Sequence, residues 1–310
     1  MKFRVDSTLQ QGLDQTPTVD MTLTEIARMR REQPPQYQPL ADVPGVDLAE
    51  VRVPGLPRMM VYTPQAAQEP GPAILHCHGG GYMYGLPEGN HLRNAELCRD
   101  LGAVVVSPEY RKAPEHPFPA ALDDMRAVWR WLLDQAGDMQ IDTGRIAVLG
   151  ESAGGGLAAS LVLALRDESD IQPRFQALIY PMLDDRTGST RPWNGPRHHV
   201  WTAASNVFGW QSYLGHAPGL EGTSGLAAPG RHPDLSGLPP TWIGTGDIDL
   251  FAPENLAFAT ALVTQGVPCE LLMVPGAYHG FRNRVPDSPV SRRFDDACAE
   301  ALKTALCTTA

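Results

Sequence analysis

No apolar run in the 310-residue chain approaches the roughly twenty residues needed to cross a bilayer. The opening stretch, MKFRVDSTLQQGLDQ, is too polar for a secretory h-region. Blocks of lysine and arginine are missing as well, so nothing offsets a formal net charge of −10; such a surface repels a phosphate backbone and an anionic bilayer, and nucleic acid and membrane are poor partners. Cysteine is scarce and odd in number: Cys77, Cys98, Cys269, Cys298 and Cys307 form no metal-like pairing and cannot close into a complete intrachain disulfide set. These absences predict a soluble, cytoplasmic protein. There is no internal repeat and no low-complexity tract. An apolar content of 43% is ample for a buried core and excludes disorder, and the length suits one large α/β domain.

What is present alternates. Short apolar runs predict strands at Arg58 to Tyr62, Ala73 to Cys77, Ala103 to Ser107, Arg145 to Leu149, Phe175 to Tyr180, Pro240 to Thr245 and Cys269 to Val274, with Val46 to Val53 a further candidate. Helical periodicity lies between them, near Asn90 to Leu101, Ala120 to Gln135, Ala153 to Arg166, Pro253 to Gln265 and Val290 to Leu306. Strand runs without polar alternation predict a sheet covered on both faces, and intervening helices predict right-handed crossovers in a mostly parallel sheet. This is an α/β class chain. Two stretches break the alternation: residues 1–45, helical and then Pro-rich, and residues 184–222, which carry Trp193, Trp201, Phe208, Trp210 and Tyr213. They read as a cap on a catalytic domain made of 46–183 and 223–310.

Three motifs carry chemistry. Gly150-Glu151-Ser152-Ala153-Gly154 fits G-x-S-x-G, in which glycines leave room for a sharp strand-to-helix turn that exposes the serine. A phosphate loop is a weaker reading, because no Lys-Ser/Thr pair follows the glycines. After the run Ala73 to Cys77 comes His78-Gly79-Gly80-Gly81-Tyr82, whose backbone can approach a ligand closely. With the N–H of Ala153, the amides of Gly80 and Gly81 can form an oxyanion hole. The third is His279, in the loop after Cys269 to Val274, where a general base belongs in a chain ordered serine, acid, histidine. For the acid, Asp247 and Asp249 both follow the strand Pro240 to Thr245, and spacing alone does not choose between them.

Together HGGGY at 78–82, GESAGG at 150–155, YRKAPEHPFPA at 110–120 with Asp123-Asp124, and DLSGLPPTWI at 234–243 resemble the hormone-sensitive-lipase-like esterases of the α/β-hydrolase fold. The matches run from about residue 70 to 282, and Lys112 replaces the family's usual leucine. The family's D-P-L-x-D-E pattern aligns on Asp249 and Glu254 by its first and last letters and so favours Asp249. The resemblance implies a helical cap and hydrolysis of short-chain carboxylic esters, acetyl to hexanoyl, through a Ser152–His279–Asp249 triad and an acyl-enzyme.

That chemistry needs no metal or organic cofactor; His198-His199 lacks a third ligand. Tyr82, Tyr84, Trp201 and Phe208 are the pocket candidates, and Glu115 and Asp123 read as structural. An amide hydrolase of the aryl formamidase kind is the nearest rival, separable by comparing an ester with its matched amide. A non-catalytic receptor on the same fold is another, which covalent labelling of Ser152 would exclude. The strand Cys269 to Val274 suits an edge-strand homodimer, an expectation that a monomeric mass in solution would reject.

Overall fold

The computed structural model describes residues 4–15, 18–36, 40–66, 70–191 and 198–307, with side chains excluded at 33–36. Trp193 lies outside them. Eight strands form one sheet: β1 (Val46–Val51), β2 (Met59–Pro64), β3 (Gly71–Cys77), β4 (Val104–Pro108), β5 (Ile141–Glu151), β6 (Phe175–Ile179), β7 (Thr241–Gly246) and β8 (Cys269–Val274). The helices are α1 (Gln10–Gln15), α2 (Leu23–Gln36), α3 (His91–Leu101), α4 (Ala120–Asp134), α5 (Ala153–Glu168), α6 (Ala203–Leu214), α7 (Ala252–Thr264), α8 (Phe281–Arg284) and α9 (Pro289–Cys307). The strand order is β1-β2-β4-β3-β5-β6-β7-β8. β2 runs antiparallel to both neighbours, and from β4 to β8 every pairing is parallel.

The pleat sorts the apolar runs into two cores. Met59, Val61, Ile146 and Val148 join the core shared with α4, α5 and α7, while Met60, Tyr62, Ala147 and Leu149 face α3 and α9. Because both faces are covered, these strands show no polar alternation. Helix α5 is buried along its whole length from Ala153 to Leu165, as its apolar run LAASLVLAL requires of a helix held between a sheet and α4.

The strands and helices fall where the periodicity places them, with two informative differences. β5 begins at Ile141 rather than Arg145, because its first residues pair through Gly71 and Ile141 before a register shift, and their partial exposure gives no apolar run to detect. Within 184–222 the structure holds α6, a helix weak in intrinsic propensity. It is capped by Thr202, whose hydroxyl accepts from the N–H of Ser205, and it is held by the buried rings of Trp210 and Tyr213. No strand lies beyond β8 among the described residues, and no described helix is long and apolar enough to cross a membrane.

The carboxyl ends of β3, β5, β7 and β8 lead into the segments carrying residues 78–82, 152, 247–249 and 279, so the topology gathers the three motifs on one rim of the sheet. One strand residue near that rim has a consequence for stability. His76 of β3 is buried, its Nδ1 2.9 Å from Ser107 Oγ of β4, and burial pushes its pKa down from 6.5 to about 4. The folded protein therefore holds it neutral, whereas the unfolded chain takes up a proton below about pH 6.5. Its contribution is complete above that pH and is lost as pH falls towards about 4, by up to roughly 3 kcal/mol. Urea unfolding at pH 7 and pH 5 should show wild type losing more stability than His76→Asn; equal losses would contradict it.

Candidate active site

Ser152 sits between β5 and α5 with φ 55° and ψ −123°. A side chain at positive φ costs about 1–3 kcal/mol, so the surroundings must impose it. They do so through missing atoms: a Cβ on Gly150 would fall on the carbonyl oxygen of Gly154, and one on Gly154 would fall on the carbonyl oxygens of Cys77 and His78. Only glycine lets the turn close this tightly. The backbone is then tied down, with Ser152 N–H donating to Ile179 O at 2.9 Å and the Ser152 carbonyl accepting from Met182 N at 2.9 Å and Gly156 N at 3.1 Å.

From that turn the serine reaches the histidine. Ser152 Oγ lies 2.9 Å from His279 Nε2, and His279 Nδ1 lies 2.8 Å from Asp249 Oδ2. The other carboxylate oxygen of Asp249 accepts from the Phe251 N–H at 2.8 Å, so both oxygens are engaged in a fully buried side chain. The imidazole is packed between Tyr180 and Phe251, whose rings meet it edge-on at 4.9 and 5.0 Å. Asp247 does different work: it accepts the Gly276 N–H at 2.6 Å and so anchors the loop that leads to His279.

Beside Ser152 runs the glycine loop. Gly80 and Gly81 have φ of 124° and 59°, and a Cβ would strike the Tyr84 carbonyl from the first and the Trp201 ring from the second. Among the described residues the N–H groups of Gly80, Gly81 and Ala153 donate to no protein acceptor. His78 braces the loop: its ring stacks on Tyr110 at 4.2 Å, its Nδ1 lies 2.8 Å from Gly79 O, and burial holds its pKa well below 6.5. Arg30 of α2 ties the N-terminal segment to the same region, donating to Met83 O and Ala113 O at 2.8 Å each and pairing with Glu115. Asp123 pairs with Arg126 on the surface of α4.

These elements enclose a cavity of about 380 Å³ lined by Ser152, His279, Gly79 to Gly81, Tyr84 and Trp201. Arg28, Met29 and Glu32 of α2 close it from the N-terminal side. Of the four aromatic pocket candidates, Tyr84 and Trp201 lie on its wall. Tyr82 does not: its ring is buried behind the loop, stacked on Tyr213 at 3.8 Å. Phe208 also lies off the wall, on a face of α6 that packs against the core. No group of metal-ligating side chains occurs among the described residues.

Sequence reasoning missed Tyr180, Phe251 and Arg282. Arg282 is 4% exposed and bridges Glu151 of the serine turn at 2.8 Å and Asp295 of α9 at 2.6 Å, so one buried cation joins the segment bearing Ser152 to the one bearing His279. No local pattern marks such a link. Glu254 is likewise internal: its carboxyl accepts from Leu183 N at 2.6 Å and from the Thr187 hydroxyl, and burial raises its pKa well above 4.5.

Comparison with known proteins bears on the fold and on the class of activity. A family model described as the alpha/beta hydrolase fold matches residues 74–283. The chain is 31% identical over 315 residues to the carboxylesterase NlhH of Mycobacterium tuberculosis, covering 97% of this chain and 96% of that one. Among solved structures, a bacterial heroin esterase superposes with a TM-score of 0.91 at 34% identity, covering 97% and 98% of the two chains. Esterase LipW from Mycobacterium marinum does so at 0.86 and 35%, covering 97% and 96%. The chain belongs to the α/β hydrolase fold family, and its motifs and relatives place it with the hormone-sensitive-lipase-like esterases. It is an enzyme of the carboxylesterase class.

Arg282→Met would strand the buried carboxylate of Glu151 and unpair the partly buried Asp295, and breaking a buried pair in this way typically costs about 3–5 kcal/mol. Chemical unfolding should show a loss of that order; a loss below about 1 kcal/mol, the scale of an exposed pair, would contradict the bridging role.

Proposed function

We propose that the protein hydrolyses short-chain carboxylic esters through an acyl-enzyme, with Ser152 as nucleophile, His279 as base and then acid, and Asp249 as the orienting carboxylate. The observation that carries this reading is the unbroken hydrogen-bonded chain from Ser152 Oγ through the imidazole to Asp249, set on a strained turn. Engagement of Asp247 with Gly276 N–H supports Asp249 as the acid.

A serine hydroxyl is a weak nucleophile at neutral pH. His279 Nε2 takes its proton as Oγ attacks the ester carbonyl, while Asp249 stabilises the resulting imidazolium. The carbonyl oxygen becomes negative and is held by the N–H groups of Gly80, Gly81 and Ala153, each worth about 3 kcal/mol. That these amides donate to no protein acceptor among the described residues supports that role. His279 then gives the proton to the leaving alcohol, water enters, and the same groups release the acid.

A cavity of about 380 Å³ sits at the small end of ligand pockets, which supports acyl chains from acetyl to hexanoyl. Tyr84 and Trp201 are its aromatic walls in this reading. Residues 1–45 and 184–222 act as the cap over a catalytic domain of 46–183 and 223–310, a division supported by hydrogen bonds between the two cap segments. Met21 N–H donates to Ser205 Oγ at 3.0 Å and Val200 N–H to Thr18 Oγ1 at 3.1 Å.

With 4-nitrophenyl acetate, Ser152→Ala should lower kcat about a million-fold, and Asp249→Asn about ten-thousand-fold with little change in KM. Near-wild-type turnover in either variant overturns the role given to that residue. Across 4-nitrophenyl esters, kcat/KM should be greatest between acetate and hexanoate; a maximum at decanoate or beyond would reject the short-chain assignment.

A further inference from the structure

Arg284, the last residue of α8, lines the cavity that contains Ser152 and His279. Its situation differs from that of Arg28, which lines the same cavity. Arg28 is committed to Glu25 at 2.8 Å and Glu32 at 2.5 Å. Arg284 forms no ion pair among the described residues, and its Nη1 is sealed from solvent with no hydrogen-bond acceptor. Its described neighbours are neutral: its Cβ would lie 3.1 Å from a Cβ at Gly12 of α1, and among the described residues the phenols of Tyr278 and Tyr84 are the groups close enough to act on its charge. Glu151, which with Glu32 brings a carboxylate to the cavity among the described residues, is satisfied by Arg282 at 2.8 Å.

An unpaired cation in a partly buried site is costly. Burial lowers the pKa of Arg284 accordingly, yet a guanidinium does not give up its proton in a protein, so the charge remains. A guanidinium on the wall of a ligand cavity, with no carboxylate partner among the described residues, calls for an acceptor on the ligand. For a guanidinium fork the matching group is a carboxylate, bound by charge-assisted hydrogen bonds. The surrounding protein makes this more telling: with a net charge of −10, its overall field does not favour an anionic substrate, so recognition of one needs a local cation.

Position decides which half of the ester is read. His279 must hand its proton to the leaving oxygen, so the alcohol half lies against the histidine side of the cavity. Arg284 stands five residues further along the same segment, which contributes His279, Gly280, Asn283 and Arg284 to the wall.

We propose that Arg284 is a specificity residue that binds a carboxylate on the leaving-alcohol half, making short-chain acyl esters of hydroxycarboxylic acids the preferred substrate class. Water cleaves the acyl C–O bond, giving the short carboxylic acid and the free hydroxycarboxylate. The inference rests on the esterase reading above and is separable from it by experiment.

The test compares kcat/KM for 4-acetoxybenzoate with that for neutral 4-acetoxybenzamide, in wild type and in Arg284→Gln and Arg284→Lys. Differences in intrinsic reactivity cancel when the ratio is compared between enzymes. Arg284→Gln should lower the anion-to-neutral ratio about ten-fold or more, mainly through KM, as loss of a charge-assisted hydrogen bond does. Arg284→Lys should fall between the two. An unchanged ratio overturns the proposal. So does a loss confined to mono(4-nitrophenyl) succinate relative to 4-nitrophenyl butyrate, which would put the carboxylate on the acyl half. If Arg284→Gln does not fold, competitive inhibition of wild type decides: 4-hydroxybenzoate should bind about ten-fold more tightly than 4-hydroxybenzamide, and equal binding overturns the inference. Failure of wild type to hydrolyse any of these esters would instead refute the esterase reading.

Discussion

The structure depends on a backbone conformation that only its neighbours can sustain. Ser152 is held at φ 55° because Gly150 and Gly154 have no Cβ to obstruct the turn and because its amide and carbonyl are bonded to Ile179, Met182 and Gly156. Strain of this kind persists where packing over-determines it. Here the cost, of the order of a few kcal/mol, raises the hydroxyl off the end of β5 and leaves the first amide of α5 without a protein acceptor among the described residues. In the proposed mechanism, nucleophile and oxyanion donor are thus two products of one turn.

A second constraint fixes the turn relative to His279. Ser152 and His279 are 127 residues apart in sequence, and their side chains meet at 2.9 Å. Parallel strands bring the segments to the same rim, but the pleat spacing alone does not set a hydrogen bond. Buried Arg282 ties the two segments together through Glu151, Asp247 anchors the loop at Gly276, and the rings of Tyr180 and Phe251 confine the imidazole. Preorganisation of this sort lowers the cost of reaching the transition state, since the groups need not reorient as charge develops.

Much of this was legible in the sequence because the relevant signals are local. The apolar runs around Leu75 and Val148 mark strands buried on both faces, and the glycines around Ser152 mark a turn whose steric demand admits little else. Other features are long-range and leave no local trace. Nothing in the residues near Arg282 announces its pairing with Glu151, and α6 takes its helical form from a cap and two buried rings in spite of weak propensity. Tyr82 shows the limit of adjacency: next to Gly81 in sequence, it turns at φ 62° into the stack with Tyr213, while Tyr84, two residues on, reaches the cavity. The two aspartates after β7 are equivalent by spacing; the family's pattern favours Asp249, and what each one touches supports the same choice.

The central claim is that one hydroxyl, one imidazole and a set of unshared amide hydrogens surround a common point. A crystal structure of the enzyme inactivated with a 4-nitrophenyl alkylphosphonate tests it most directly. The account predicts a covalent bond from Ser152 Oγ to phosphorus, with a phosphoryl oxygen about 2.7–3.1 Å from at least two of the amide nitrogens of Gly80, Gly81 and Ala153. Attachment at another residue, or a phosphoryl oxygen directed away from all three amides, would contradict it.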